Sequence, residues 1–221
     1  QYKKDLNQLK NLFSKINLIV LMGGEPLLNP QITEFLYATK AVFPKSELQV
    51  FTNGILLPQM QQPFWDACKT CVVTIDITVY PPLKQKQDVL TQLVKAHQLK
   101  VNTHSTSYFQ GFYNKLGDTD AALAFKQCRA RLFVPILREG KLYICPKPAT
   151  LHSFNRKFGL NLPQTGYADI YAPKTTGWDV LAQIDKPAPI CRYCSLGWKN
   201  VPVFPWATSK QALAEWEALP R

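Results

Sequence analysis

No stretch of this 221-residue chain approaches the roughly 18 consecutive apolar residues that cross a bilayer. Its first thirty residues also lack the apolar core of a secretory signal. A cytoplasmic chain without a membrane span is therefore expected. Acidic residues are scarce, 15 against 26 lysines and arginines, for a net charge of +11. No basic run is longer than two residues, however, and neither an RNP nor a C2H2 pattern is present. That scatter argues against nucleic acid as the partner and for a solvated basic surface that aids an anionic substrate. Histidine is also rare: His97, His104 and His152 are isolated, and none is assigned as a general acid or base. Internal repeats and low-complexity tracts are absent. What is present, 46% hydrophobic and 19% charged residues, describes a folded chain rather than a disordered one.

The first half alternates strand and helix patterns. An opening helical pattern, Tyr2 to Phe13, begins beside Gln1 rather than a methionine and reads as a segment of a longer protein. Leu18 to Met22 is a strand pattern. Pro30 fits the first turn of a helix capped by Asn29, with Ile32, Phe35, Leu36 and Phe43 on its apolar face. A strand over Val50 to Thr52 and a helix over Pro58 to Lys69 follow. Val72 to Val79 is the clearest β segment, stopped by Pro81 and Pro82. A helix over Leu83 to His97 and a strand over Val101 to Ser107 complete the alternation, which predicts a parallel sheet.

After Gly117 the pattern changes, with ten of the seventeen prolines falling from Pro135 onward. A hairpin is expected where Leu132 to Leu137 and Lys141 to Cys145 flank Glu139 and Gly140. Regular helices are expected to thin out, and the stretch from Asn161 to Thr176 to be irregular. A last helix, Lys210 to Ala218, is expected under a Ser209 cap, docked by Trp206 and Trp216. The domains are accordingly placed at 1–116 and 117–221. The aromatics Tyr108, Phe109, Phe112 and Tyr113 read either as a pocket lining or, more simply, as packing.

Two glycine motifs close successive strands. Gly23-Gly24-Glu25-Pro26 follows Leu18 to Met22, and Thr52-Asn53-Gly54 follows Leu48 to Phe51. In parallel α/β folds, ligands sit beyond the carboxyl ends of strands. Glycines let backbone amides approach a ligand, and the Glu25 carboxylate can accept hydrogen bonds from an ammonium group. Together they suit the amino end of an amino-acid-like ligand. The plain alternative is a tight strand-to-helix turn with Glu25 in solvent.

The order of these motifs resembles that of the radical S-adenosylmethionine (radical SAM) enzymes. Met22 to Pro30 is similar to the segment that contacts the methionyl amino group there, and Phe51 to Gly54 to the end of the next strand. Ile75 to Pro82 is similar to the fourth strand, with Thr78 where relatives carry a serine. The likeness continues through Gly140 to Pro146 and Cys191 to Cys194, and ends at Ser209 to Trp216. It implies a partial (β/α)6 barrel followed by a small, loop-rich, cysteine-bearing module of the SPASM or twitch kind. It further implies S-adenosylmethionine at Gly23, Gly24, Glu25, Pro26, Thr52, Asn53, Gly54 and Thr78. One departure is plain: the family's C-x3-C-x2-C loop, which holds its catalytic 4Fe–4S cluster, is missing, and none of the twenty-two residues before Gly23 is cysteine. The chain alone is not expected to turn over.

Cys128, Cys145, Cys191 and Cys194 form a second constellation. Thiolates ligate both iron–sulfur clusters and structural zinc, and free cysteines also serve as small buried hydrophobes. The resemblance favours an auxiliary 4Fe–4S cluster over zinc. Relatives often carry another cysteine where Val134 stands here. Cys68 and Cys71, also spaced C-x-x-C, are expected to be core packing at a helix–strand junction. The leading expectation is the C-terminal portion of a radical SAM enzyme, with a small-molecule, carbohydrate or peptide substrate and an electron donor. The alternatives are an inactive scaffold and a zinc-stabilised binding protein of the same fold.

Overall fold

The computed structural model describes residues 1–111, 113–128 and 135–217. Of the positions named above, Phe112, Leu132, Val134 and Ala218 lie outside those described. The chain divides into two compact units, Tyr2–Ser107 and a second one from Tyr108 onward. No described helix is long and apolar enough to cross a membrane.

The first unit is built on four parallel strands in chain order. These are β1 (Leu18–Leu21), β2 (Glu47–Thr52), β3 (Val73–Val79) and β4 (Lys100–Ser105). Register runs straight across: Leu21 is level with Val50, Val50 with Ile75, and Ile75 with Val101. Helices α1 (Tyr2–Leu12), α2 (Ile32–Val42), α3 (Gln62–Thr70) and α4 (Gln87–Ala96) alternate with the strands. The sheet is flanked by helices, as in part of an α/β barrel; no closed barrel is formed among the described residues.

Side chains alternate across the sheet with the period of two that a strand imposes. Leu48, Val50, Ile75 and Ile77 are fully buried and pack with Leu36, Leu57, Phe64 and Val94 in one core. Burying each such side chain contributes about 1.5–3 kcal/mol. Gln49, Phe51, Thr74 and Thr78 are half-buried on the opposite face, while Asn102 and His104 are exposed. One face is thus apolar, and the other is largely polar.

Helix starts differ from those expected, for identifiable reasons. Asn29 does not cap α2; its N–H closes a single 3-10 turn, Pro26–Leu28, by donating to the Pro26 carbonyl at 3.0 Å. Its side chain accepts from the Gln31 N–H at 3.0 Å, so the helix proper starts at Ile32. The segment from Pro58 splits into a 3-10 turn, Leu57–Gln59, and α3. Pro63 fits the first turn of α3 but would break a helix already running from Pro58. A 3-10 stretch, Pro81–Lys86, similarly precedes α4.

The second unit holds more helix than the proline count suggested. It contains α5 (Ala121–Gln127), α6 (Pro146–Phe158) and α7 (Gly177–Ile184). Pro146 and Pro148 do not disrupt α6, because they occupy its first turn, where backbone N–H groups have no helical partner. Gly159, in the left-handed region at φ 62°, ends it. Strands β5 (Tyr108–Gln110) and β9 (Val203–Pro205) pair antiparallel. Strands β6 (Ile136–Arg138), β7 (Lys141–Tyr143) and β8 (Tyr167–Asp169) form a three-stranded sheet. Glu139 and Gly140 join β6 to β7 with φ of 51° and 76°, the two-residue turn whose twist matches a hairpin. β8 lies within the stretch expected to be irregular.

The last helix is not formed among the described residues. Gln211 sits at φ 59°, outside helical space, and the Glu215 carboxylate accepts from the Ser209 hydroxyl and the Lys210 N–H, both at 2.6 Å. These contacts close a loop ending in one 3-10 turn, Leu213–Glu215. Trp216 is therefore not the anchor of a terminal helix; it is 52% exposed and stands edge-on to Phe154 of α6 at 5.9 Å.

Candidate functional site

The parallel register brings the two glycine loops together at the carboxyl ends of β1 and β2. Glu25 is the link. Its Oε1 accepts from the Thr52 hydroxyl at 2.7 Å and from the Leu27 N–H at 3.2 Å, and its Oε2 from the Asn53 N–H at 2.9 Å. Thr52 is braced in turn, since its Oγ1 accepts from the Gly54 N–H at 3.0 Å. Asn53 Oδ1 accepts from the Ile55 N–H at 2.9 Å, tightening the second loop. Glu25 is therefore half-buried and engaged rather than solvated. An ionised carboxylate offers about four acceptor positions. Three are taken here, leaving one on Oε2 for a donor from outside.

The glycines differ in purpose. A Cβ at Gly23 or Gly24 would meet no atom within 4 Å, so open space lies before that backbone. Gly54 is required by packing: its φ is +81°, and a Cβ there would stand 3.0 Å from side-chain atoms of Ile77 and Leu90. Pro26 opens the turn after Glu25. Open backbone at Gly23 and Gly24 beside a carboxylate with a spare acceptor position fits a ligand bearing an ammonium group. Thr78 lies apart from this clamp, on β3, with its side chain on the face opposite Thr52.

Thr78 is level with His104 on β4. His104 Nε2 lies 3.2 Å from Asp76 Oδ2, and Asn102 Nδ2 donates to the same oxygen at 3.4 Å. Asp76 is buried, at 6% side-chain exposure, whereas His104 is 67% exposed. The sequence reading placed His104 on this strand but passed over Asp76. The available signal was a carboxylate inside the most apolar strand of the chain. His97 has a structural role, stacked on Trp65 at 4.1 Å.

In the second unit, Cys145 holds the N-cap position of α6 without a side-chain capping hydrogen bond. Burial pushes its thiol from 9.0 up to about 12, against the opposing pull of the Lys147 backbone and charge; Cys128 and Cys191 raise it further. Burial likewise raises the Cys191 thiol, with Cys194 and Cys128 adding to the shift. The Cys194 N–H donates to the Cys191 carbonyl at 3.1 Å, folding the C-x-x-C into a turn. Cys128, Cys145 and Cys191 are thus within electrostatic reach of one another, and Cys194 is within reach of Cys191. Among the described residues, no three histidines, cysteines or acids stand close enough to hold a metal ion as arranged. Cys68 and Cys71 are free thiols buried in the core of the first unit.

No protein-family profile matches the chain. Over 85 residues, 38% of its length, the chain is 33% identical to the GTP 3′,8-cyclase of Clostridium acetobutylicum. The match covers 24% of that protein, so the chain spans about a quarter of the curated relative.

Proposed function

We propose that this chain is part of a radical SAM enzyme, with an S-adenosylmethionine cradle in the first unit and an auxiliary iron–sulfur site in the second. The observation that carries the reading is the Glu25 clamp, which joins two glycine loops at the strand ends and keeps one acceptor position free. In this reading the Gly23 and Gly24 backbone and Glu25 receive the methionyl ammonium group. Pro26 sets the turn, Thr52, Asn53 and Gly54 hold the carboxylate in place, and Thr78 meets another part of the cofactor. Held by these residues, S-adenosylmethionine would supply radical hydrogen-abstraction chemistry.

Cys128, Cys145, Cys191 and Cys194 have the thiol chemistry that suits a 4Fe–4S cluster, and holding one would require them to draw closer together than they stand here. Binding requires thiolates, so the raised values of Cys145 and Cys191 make cluster uptake release protons there. The Lys147 charge favours that ionisation at Cys145 and Cys191. The substrate is a small molecule, carbohydrate or peptide, and an electron donor is a partner of the complete enzyme.

Equilibrium dialysis against labelled S-adenosylmethionine, with the chain reconstituted without oxygen, tests the cradle. Saturable binding supports it, and none would leave a scaffold of the same fold. Iron, sulfide and zinc analysis of the same sample tests the second site. About four irons and four sulfides, lost in the Cys191→Ala, Cys194→Ala variant, is the expected result for a 4Fe–4S centre. One zinc would make the site structural, and no metal would remove the assignment.

A further inference from the structure

The polar face of the first unit carries a pair of side chains that the cradle does not use. Asp76 sits on β3 and His104 on β4, two residues apart in register, with their side chains on the same side of the sheet. Asp76 Oδ2 is 3.2 Å from His104 Nε2 and also accepts from Asn102 Nδ2 at 3.4 Å. A carboxylate buried to 6% exposure is costly to maintain unless it is hydrogen-bonded. Here both partners come from the neighbouring strand. An ionised carboxylate can only accept, so it selects the tautomer with hydrogen on Nε2 and leaves the lone pair on Nδ1. That second nitrogen belongs to a ring that is 67% exposed, level with Thr78 at the carboxyl end of the sheet. A positioned imidazole with a buried carboxylate behind it and a free lone pair ahead is the arrangement of a proton-transfer residue.

We propose that His104 is the proton-transfer residue of the substrate site on this face, and that Asp76 is its positioning residue. Placing the substrate there rests on the function proposed above; the dyad itself does not. The ligand it takes bears a hydroxyl or ammonium group. In the step, the ligand's O–H or N–H bond breaks and its proton forms a bond to Nδ1, while the ligand keeps the electron pair. The imidazolium is balanced by the Asp76 carboxylate until it returns the proton, and no oxidant or reductant is needed.

The dyad is tested on this chain without S-adenosylmethionine or iron, so its failure is separate from failure of the cradle. Nitrogen-15 NMR of the wild-type chain should show His104 as a single tautomer protonated at Nε2. A mixture of tautomers, or hydrogen on Nδ1, would overturn the assignment without any variant. Diethyl pyrocarbonate, with modification located by mass spectrometry, provides the second readout. A carboxylate behind the ring increases electron density at Nδ1, so His104 should react at least about threefold faster than in Asp76→Ala. Equal rates in a folded Asp76→Ala variant would reduce the pair to a satisfied polar contact.

Discussion

The Thr52 hydroxyl donates to the Glu25 carboxylate at 2.7 Å, binding together two loops that are 27 residues apart. Removing either side of this contact should loosen both loops. Thr52→Val should destabilise the first unit by about 1–2 kcal/mol, because the Gly54 N–H loses its acceptor as well. Glu25→Gln should cost about 1–3 kcal/mol, since its amide nitrogen must face donors that now meet oxygen. The two losses should not add in the double variant. Urea unfolding followed by circular dichroism measures all three, and simple additivity would mean that the contact is not formed in solution.

Gly54 should be intolerant of any side chain. Its φ of +81° strains an L-residue, and a Cβ would press on Ile77 and Leu90 at 3.0 Å. Gly54→Ala should lower stability by about 1–3 kcal/mol. An unchanged urea midpoint would contradict the loop conformation.

The partly buried thiols of Cys145 and Cys191 predict a pH dependence for the metal-free chain. Cys145 is raised from 9.0 to about 12, so folding favours its protonated form. That contribution is complete below about pH 9 and is lost as pH rises toward 12, at up to about 1.4 kcal/mol per unit. Cys191 is shifted in the same direction by burial. Stability compared at pH 8 and pH 10.5 should fall less in Cys145→Ala than in wild type. An identical fall would place Cys145 in solvent.

Asn114 anchors the segment that carries the C-x-x-C turn. It is buried, and its Nδ2 donates to Asp118 and Thr119 at 2.8 Å and to the Arg192 carbonyl at 3.4 Å. Its Oδ1 accepts from the Leu116 N–H at 3.1 Å. Asn114→Ala should cost about 2–3 kcal/mol and speed alkylation of Cys191 and Cys194 by iodoacetamide. Unchanged alkylation would mean that the turn is held by other contacts.

The parallel sheet was legible in the sequence because β-rich runs alternate with amphipathic ones, and the strand expected over Val72 to Val79 forms from Val73, with Val72 in the left-handed region at φ 53°. The glycine motifs were legible as strand ends. Their joining through Glu25 was not, since it depends on the register that sets Leu21 beside Val50. The Asp76–His104 pair was missed for the same reason: only strand pairing brings residues 28 apart into contact. Prolines misled twice, hiding α6 behind Pro146 and Pro148 and suggesting a longer helix at Pro58. At the end of the chain, a serine cap followed by a helical pattern was outweighed by the left-handed Gln211 and the Glu215 carboxylate.

The central claim is that open backbone at Gly23 and Gly24 receives S-adenosylmethionine. The most direct measurement pairs cofactor affinity with stability in Gly24→Val. Because a Cβ there would meet no protein atom within 4 Å, the stability should shift by no more than about 0.5 kcal/mol. Binding of S-adenosylmethionine should nevertheless fall at least about tenfold, as the branched side chain fills the space the ligand needs. Equal affinity in both proteins, or no binding by wild type, would contradict the account.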